Sequence, residues 1–164
     1  MAMTMRGAAR ARLAAAIAGL SLAVASVASA QEAPQTIPDS VVERMVRLGL
    51  ANIHRAACDG FNSCEPATPE ELEYPPITVD QARTALMTGT RTALAHWCGL
   101  DADRRSVAPM NRHLRKVLRF NNRQVALMAV IHGIQQGAIA EQLKAQGACD
   151  GPTRARLDAQ LPKS

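Results

Sequence analysis

The sequence predicts an all-α protein, a small disulfide-stapled helical bundle of four to five principal helices that follows a cleaved signal peptide. Three observations carry that expectation. Apolar residues recur at intervals of three and four through most of the chain beyond residue 40. Four segments open on helix-start chemistry, and all four cysteines lie beyond the leader. No stretch sustains the alternation of a strand, and no repeat of ~20–50 residues is visible.

The leader is read from its three regions. Arg6, Arg10 and Arg12 form a positive start, Leu13 to Val27 an apolar stretch, and Ala28-Ser29-Ala30 a small-residue cleavage site before Gln31. The apolar stretch is shorter than the ~20 residues a spanning helix needs, and no cysteine follows the cleavage site for a lipid anchor. Residues 1–30 are therefore expected to be a signal peptide, 31–39 a flexible tether carrying Pro34 and Pro38, and 40–164 one helical domain. Such a protein is periplasmic or secreted and is not an integral membrane protein once the leader is removed.

In that oxidising setting an even cysteine count reads as two disulfides. Four cysteines allow three pairings. The favoured one joins Cys58 to Cys64 over the Asp59-Gly60 turn and Cys98 to Cys149 across a long loop.

The helices follow in order. Ser40, with Glu43 three residues on, is expected to cap a first helix running to about Ala57, with Val42, Met45, Val46, Gly49 and Ile53 on its buried face. Thr68-Pro69-Glu70-Glu71 starts a single turn that Tyr74-Pro75-Pro76 stops. Thr78 and Gln81 open a longer helix whose apolar stripe runs through Val79, Ala82, Leu86, Gly89, Ala93 and Trp97. Gly89 on that stripe would let a neighbouring helix approach closely, and the Thr-rich segment 88–92 is a place for a kink.

A basic amphipathic helix is expected over 106–119. Val107, Met110, Leu114, Val117 and Leu118 face inward, and Arg112, Arg115, Lys116 and Arg119 face outward. The central helix starts at Asn121, whose box partner is Gln124, and is apolar from Val125 to Ile131, so neighbours are expected on several sides. Gly137 is expected to interrupt or end it, with a further short helix over 139–146 and a last one after Asp150-Gly151-Pro152.

Charge is unevenly spread. Of the 19 Lys and Arg, three lie in the leader, which leaves 16 against 14 Asp and Glu. Residues 31–103 hold 5 basic and 11 acidic groups, whereas 104–164 hold 11 basic and 3 acidic. Arg104, Arg105, Arg112, Arg115, Lys116, Arg119 and Arg123 follow one another with no carboxylate between them. The candidate binding face is Arg112, Arg115, Lys116, Arg119 and Arg123, and its expected partner is an acidic protein or an anionic cell-envelope surface. The plain alternative is a solvated face paired with Glu70, Glu71 and Glu73. Nucleic acid fits less well, since the chain holds only four aromatic residues and Phe120 alone falls among the cations.

Other chemistry has weaker support. His54 and Cys58 are four apart and His96 and Cys98 two apart, but the thiols are taken up in disulfides and no H-E-x-x-H is present, so no metal site and no cofactor are expected. There is no G-x-S-x-G, S-x-x-K or glycine-rich phosphate loop, and no catalytic residue is named. His132 is expected to pack in the core of the central helix, and Trp97 against a disulfide. The leading expectation is an exported, soluble, non-enzymatic binding module acting through helix 106–119. The alternative is a small enzyme or ligand-binding bundle with a pocket between helices 79–97 and 122–136, lined by Trp97, Met87 and Met128. A homo-oligomer in which a second copy covers the central helix is a third possibility.

Overall fold

The computed structural model describes residues 37–60 and 62–163, so the expected leader and most of the tether lie outside the described residues. Among the described residues the chain is helical, with one minimal two-stranded hairpin. Helix α1 spans Asp39–Ala51, and the strands β1 (Ala57–Asp59) and β2 (Asn62–Ser63) form the hairpin. Then come α2 (Pro69–Glu73), α3 (Val79–Trp97), α4 (Ala108–Lys116), α5 (Asn122–Lys144) and α6 (Gly151–Gln160). The all-α class and the two disulfides expected from sequence are both present.

Three of the four expected capping boxes form. In each of α2, α3 and α5 the cap side chain accepts the N–H of the third helical residue, whose own side chain accepts the cap N–H: Thr68 with Glu71, Thr78 with Gln81, Asn121 with Gln124. The fourth does not. Pro38 precedes α1, Ser40 lies inside its first turn, and the helix begins at Asp39, whose carboxylate pairs with Arg83 of α3. Arg83 also pairs with Asp80 and donates from Nε to the Ile37 carbonyl at 3.1 Å, which ties the start of the described chain to α3.

Helix α1 stops six residues earlier than expected. Asn52 donates from its side chain to the Leu48 carbonyl at 2.9 Å, a 3-10 turn follows over Ile53–Arg55, and the chain extends into the hairpin. The Cys58–Cys64 bridge spans this hairpin, and such a tight loop requires extended rather than helical backbone at its base. The sequence shows no alternation here because the strands are only three and two residues long.

Helix α5 is the centre of the packing, and α1 and α3 lie against it at glycines. A Cβ at Gly49 would stand 2.8 Å from Ile131 Cγ1, and one at Gly89 would stand 2.5 Å from the carbonyl oxygen of His132. The core joins Leu50 and Ile53 to Leu86, Leu114, Leu127, Met128 and Ile131, all essentially inaccessible. Residues 88–92 carry no break in α3. Thr84, Thr88 and Thr92 each donate their hydroxyl to the carbonyl four residues back, so the threonines satisfy themselves along the helix.

Helix α5 likewise runs straight through Gly133 and Gly137 to Lys144, correcting the expected stop at 136 and the separate helix 139–146. An interior glycine costs only about 1 kcal/mol relative to alanine, which packing on α3 outweighs. Nor is α5 surrounded: Ala129, Gly133 and Gly137 form an exposed stripe of small residues.

The C-terminal segment is held by three attachments. Cys98 at the end of α3 bonds Cys149, Trp97 Nε1 donates to the Gly147 carbonyl at 2.8 Å, and Arg105 pairs with Asp158 while donating to the Asp158, Leu161 and Pro162 carbonyls. Leu161 closes a small second core with Ala95 and Ala102. Among the described residues no helix is long and apolar enough to cross a membrane.

Candidate functional site

The basic segment does not form one helix over 106–119. A wide π-helical turn covers Asp103–Val107, immediately before Pro109, which has no N–H to give to an earlier carbonyl. The α-helix then ends at Lys116. Arg119 takes a left-handed backbone with φ 57°, and the Phe120 N–H returns to the Leu114 carbonyl at 3.0 Å. This early stop turns Val117 and Leu118, expected on the buried side, outward: they are 64% and 37% exposed. The periodicity placed them inward because it presumed the helix continued. They emerge between Lys116 and Arg119, so the end of α4 presents two aliphatic side chains flanked by cations.

The expected face divides into two groups. Arg112, Arg115, Lys116 and Arg119 are exposed, and among the described residues no carboxylate lies in ion-pair range of them. Arg115 donates to Asn122 Oδ1 at 2.9 Å, and Asn122 in turn donates to Asp59 at 3.0 Å. Arg123 does not belong with them. It lies on α5 and clasps Glu71 through Nε at 2.5 Å and Nη2 at 2.6 Å, while donating to the Glu65 and Pro66 carbonyls at 2.9 and 3.2 Å. That contact holds the Glu71 carboxyl below its usual range, chiefly through the Arg123 hydrogen bonds. Arg123 thus fastens the loop around α2 to the start of α5. Of the proposed pairing with Glu70, Glu71 and Glu73, this bridge is the part that forms.

The second feature is a cavity of about 410 Å³ between α3 and α4, with Met128 of α5 lining it. It lies elsewhere than the expected pocket between residues 79–97 and 122–136: there Gly89 brings the two helices into contact at mid-length, and a smaller cleft opens between them beyond Ala93. The three residues expected to share that pocket are separated. Met128 lines the α3–α4 cavity, Met87 is 52% exposed, and Trp97 lines a cleft of about 210 Å³ between the C-terminal part of α3, with Ala93 and His96, and Gln136, Ala140 and Leu143 of α5. The sequence contained no sign of the cavity, since it depends on where α4 ends and how it leans on α3.

Behind the cavity is a buried polar cluster that spacing alone could not assemble. Thr92 Oγ1 lies 2.8 Å from the Thr88 carbonyl, 2.9 Å from Ser106 Oγ and 3.0 Å from His132 Nε2. A hydroxyl has one proton and two acceptor sites. With the Thr92 proton on the Thr88 carbonyl, Ser106 and His132 Nε2 both donate to Thr92, which places a proton of His132 on Nε2. Burial, reinforced by nearby His96, pushes its pKa below the usual histidine value.

The linked effect on stability has a definite sign. The unfolded chain binds a proton at His132 near pH 6.5 and the folded chain resists it, so stability is full above that pH and falls as pH drops toward the folded value. Glu71, Asp150 and Asp158, held below their usual range, lose their contribution at lower pH. Urea midpoints are expected to fall between pH 7.5 and 5.5, and His132→Gln is expected to flatten that difference. An unchanged slope in the variant would remove His132 from this account.

Among the described residues no group of three or more metal-binding side chains comes together. Comparison with protein families, with curated proteins and with solved structures finds no match for this chain.

Proposed function

We propose that this is an exported binding module that attaches to an anionic surface of the cell envelope through the end of α4. Two disulfides fit an oxidising compartment, which supports a periplasmic or secreted protein. The observation that carries the reading is the exposure of Val117 and Leu118 among Arg112, Arg115, Lys116 and Arg119. Exposed aliphatic side chains flanked by cations suit an interface in which charges meet lipid phosphates and the aliphatic groups enter the acyl boundary. An acidic protein would meet the cations equally well, but would need an apolar patch between its carboxylates to cover Val117 and Leu118.

Each basic residue near an anionic bilayer contributes on the order of 1 kcal/mol. Arg112→Glu, Lys116→Glu and Arg119→Glu together are therefore expected to weaken binding to phosphatidylglycerol vesicles by about a hundredfold or more. The urea midpoint should stay nearly unchanged, because these side chains are exposed. Retained vesicle binding in the folded triple variant would end the proposal.

A further inference from the structure

The cavity between α3 and α4 has walls of two kinds. Pro109, Met110, Leu114, Leu118 and Met128 make it predominantly apolar. Against them stand the hydroxyls of Thr84, Thr88 and Ser106, the last two buried. The protons of these hydroxyls are all engaged within the protein. Thr84 donates to the Asp80 carbonyl at 3.0 Å, Thr88 to the Thr84 carbonyl at 2.8 Å, and Ser106 to Thr92, whose own proton goes to the Thr88 carbonyl. What these three oxygens present to the cavity is therefore lone pairs: the wall formed by Thr84, Thr88 and Ser106 accepts hydrogen bonds, and the donors of the lining are the Gln81 amide, whose oxygen takes the Thr78 N–H, and the side chains of Arg91 and His113.

The charged groups at the mouth do not reverse that polarity inside. Arg105 is occupied by Asp158 and the carbonyls of the C-terminal segment, and Asp80 by Arg83. Arg91 and His113 are exposed at the rim, where an anion can be met in water. An anionic group pushed further in would face acceptor oxygens and lose its hydration without replacement.

We propose that this cavity binds a compact apolar molecule carrying a hydrogen-bond donor, a hydroxyl or an amine, with the donor directed at Thr88 and Ser106 and the apolar body between Met110, Leu114 and Met128. The volume lies at the small end of the ~300–1,000 Å³ usual for ligand clefts. The two thioethers favour a flat aromatic body, because methionine sulfur packs well at ring edges. This site is independent of the envelope-binding surface, although Leu118 borders both.

The test uses the disulfide-intact protein with carbon-13 in its methionine methyls and three probes of one ring system: 2-naphthol, 2-methoxynaphthalene and 2-naphthoate. Of the methionines in the described chain, Met110 and Met128 line the cavity while Met45 and Met87 do not, so the shifts locate the probe. The expected result is that 2-naphthol moves the Met110 and Met128 methyls and binds roughly tenfold tighter than its methoxy analogue, which keeps the ring and lacks the donor. Thr88→Val, which removes one acceptor at constant shape, should narrow that gap. If that variant fails to fold, the comparison of probes on the unaltered chain still decides. Equal binding of naphthol and its ether, tightest binding of the naphthoate, shifts that avoid Met110 and Met128, or no binding by any probe would each overturn the proposal. No lipid is present, so the outcome is separate from that of the vesicle experiment.

Discussion

Replacing Cys98 and Cys149 together by alanine is expected to lower stability by about 4 kcal/mol, the largest effect of any change considered. The bridge closes a segment of separation 51, and chain-entropy scaling assigns a loop of that length about 4 kcal/mol. It also anchors α6 to the end of α3, beside the Trp97–Gly147 hydrogen bond. The Cys58–Cys64 bridge has a separation of only 6, and its removal is expected to cost roughly 2 kcal/mol. Urea denaturation of the two double-alanine variants, without reductant, gives the ordering directly. If the hairpin bridge proved the costlier to lose, stabilisation would arise from local contacts around β1 and β2 rather than from loop closure.

Substituting Gly89 by alanine is expected to destabilise by roughly 1–3 kcal/mol, although alanine is the better helix former. The added methyl would stand 2.5 Å from the His132 carbonyl oxygen, a backbone atom of the neighbouring helix that cannot swing aside. It would also stand 3.0 Å from Gln135 Cβ, so α3 and α5 must separate along their main contact. Gly133→Ala supplies the control. Its methyl meets open space, and it should stabilise by about 0.5–1 kcal/mol through helix propensity and the unfolded chain. Opposite signs for two Gly→Ala changes in adjacent helices would establish that contact geometry governs the effect at Gly89. Two stabilising results would mean that α3 and α5 are less closely packed than described.

Much of the fold was legible because it is written in local chemistry. A cap and its partner are three residues apart, so the boxes at Thr68, Thr78 and Asn121 can be read without the rest of the chain. The apolar stripe of α3, with Gly89 on it, likewise announces a close neighbour. What was not legible depended on contacts distant in sequence. The end of α1 answers to a hairpin closed by a disulfide, and α5 continues through Gly133 and Gly137 because α3 supports it. Arg123 looked like its basic neighbours, and only the fold brings Glu71 and two carbonyls around it. For the candidate site, the cations of α4 were visible from spacing. The outward turn of Val117 and Leu118 was not, since it follows from one left-handed residue, Arg119, that helical periodicity cannot anticipate. Ser106, Thr92 and His132 stand on three separate elements, so their cluster left no motif.

The most direct test of the envelope-binding account is the partition of the disulfide-intact protein between buffer and vesicles, neutral phosphatidylcholine against mixtures containing phosphatidylglycerol, across a range of salt. The account predicts binding that requires the anionic lipid, weakens as salt screens the charges of Arg112, Arg115, Lys116 and Arg119, and weakens again at fixed salt when Val117 and Leu118 are replaced by serine. Equal partition onto neutral and anionic vesicles, or none onto either, would contradict it.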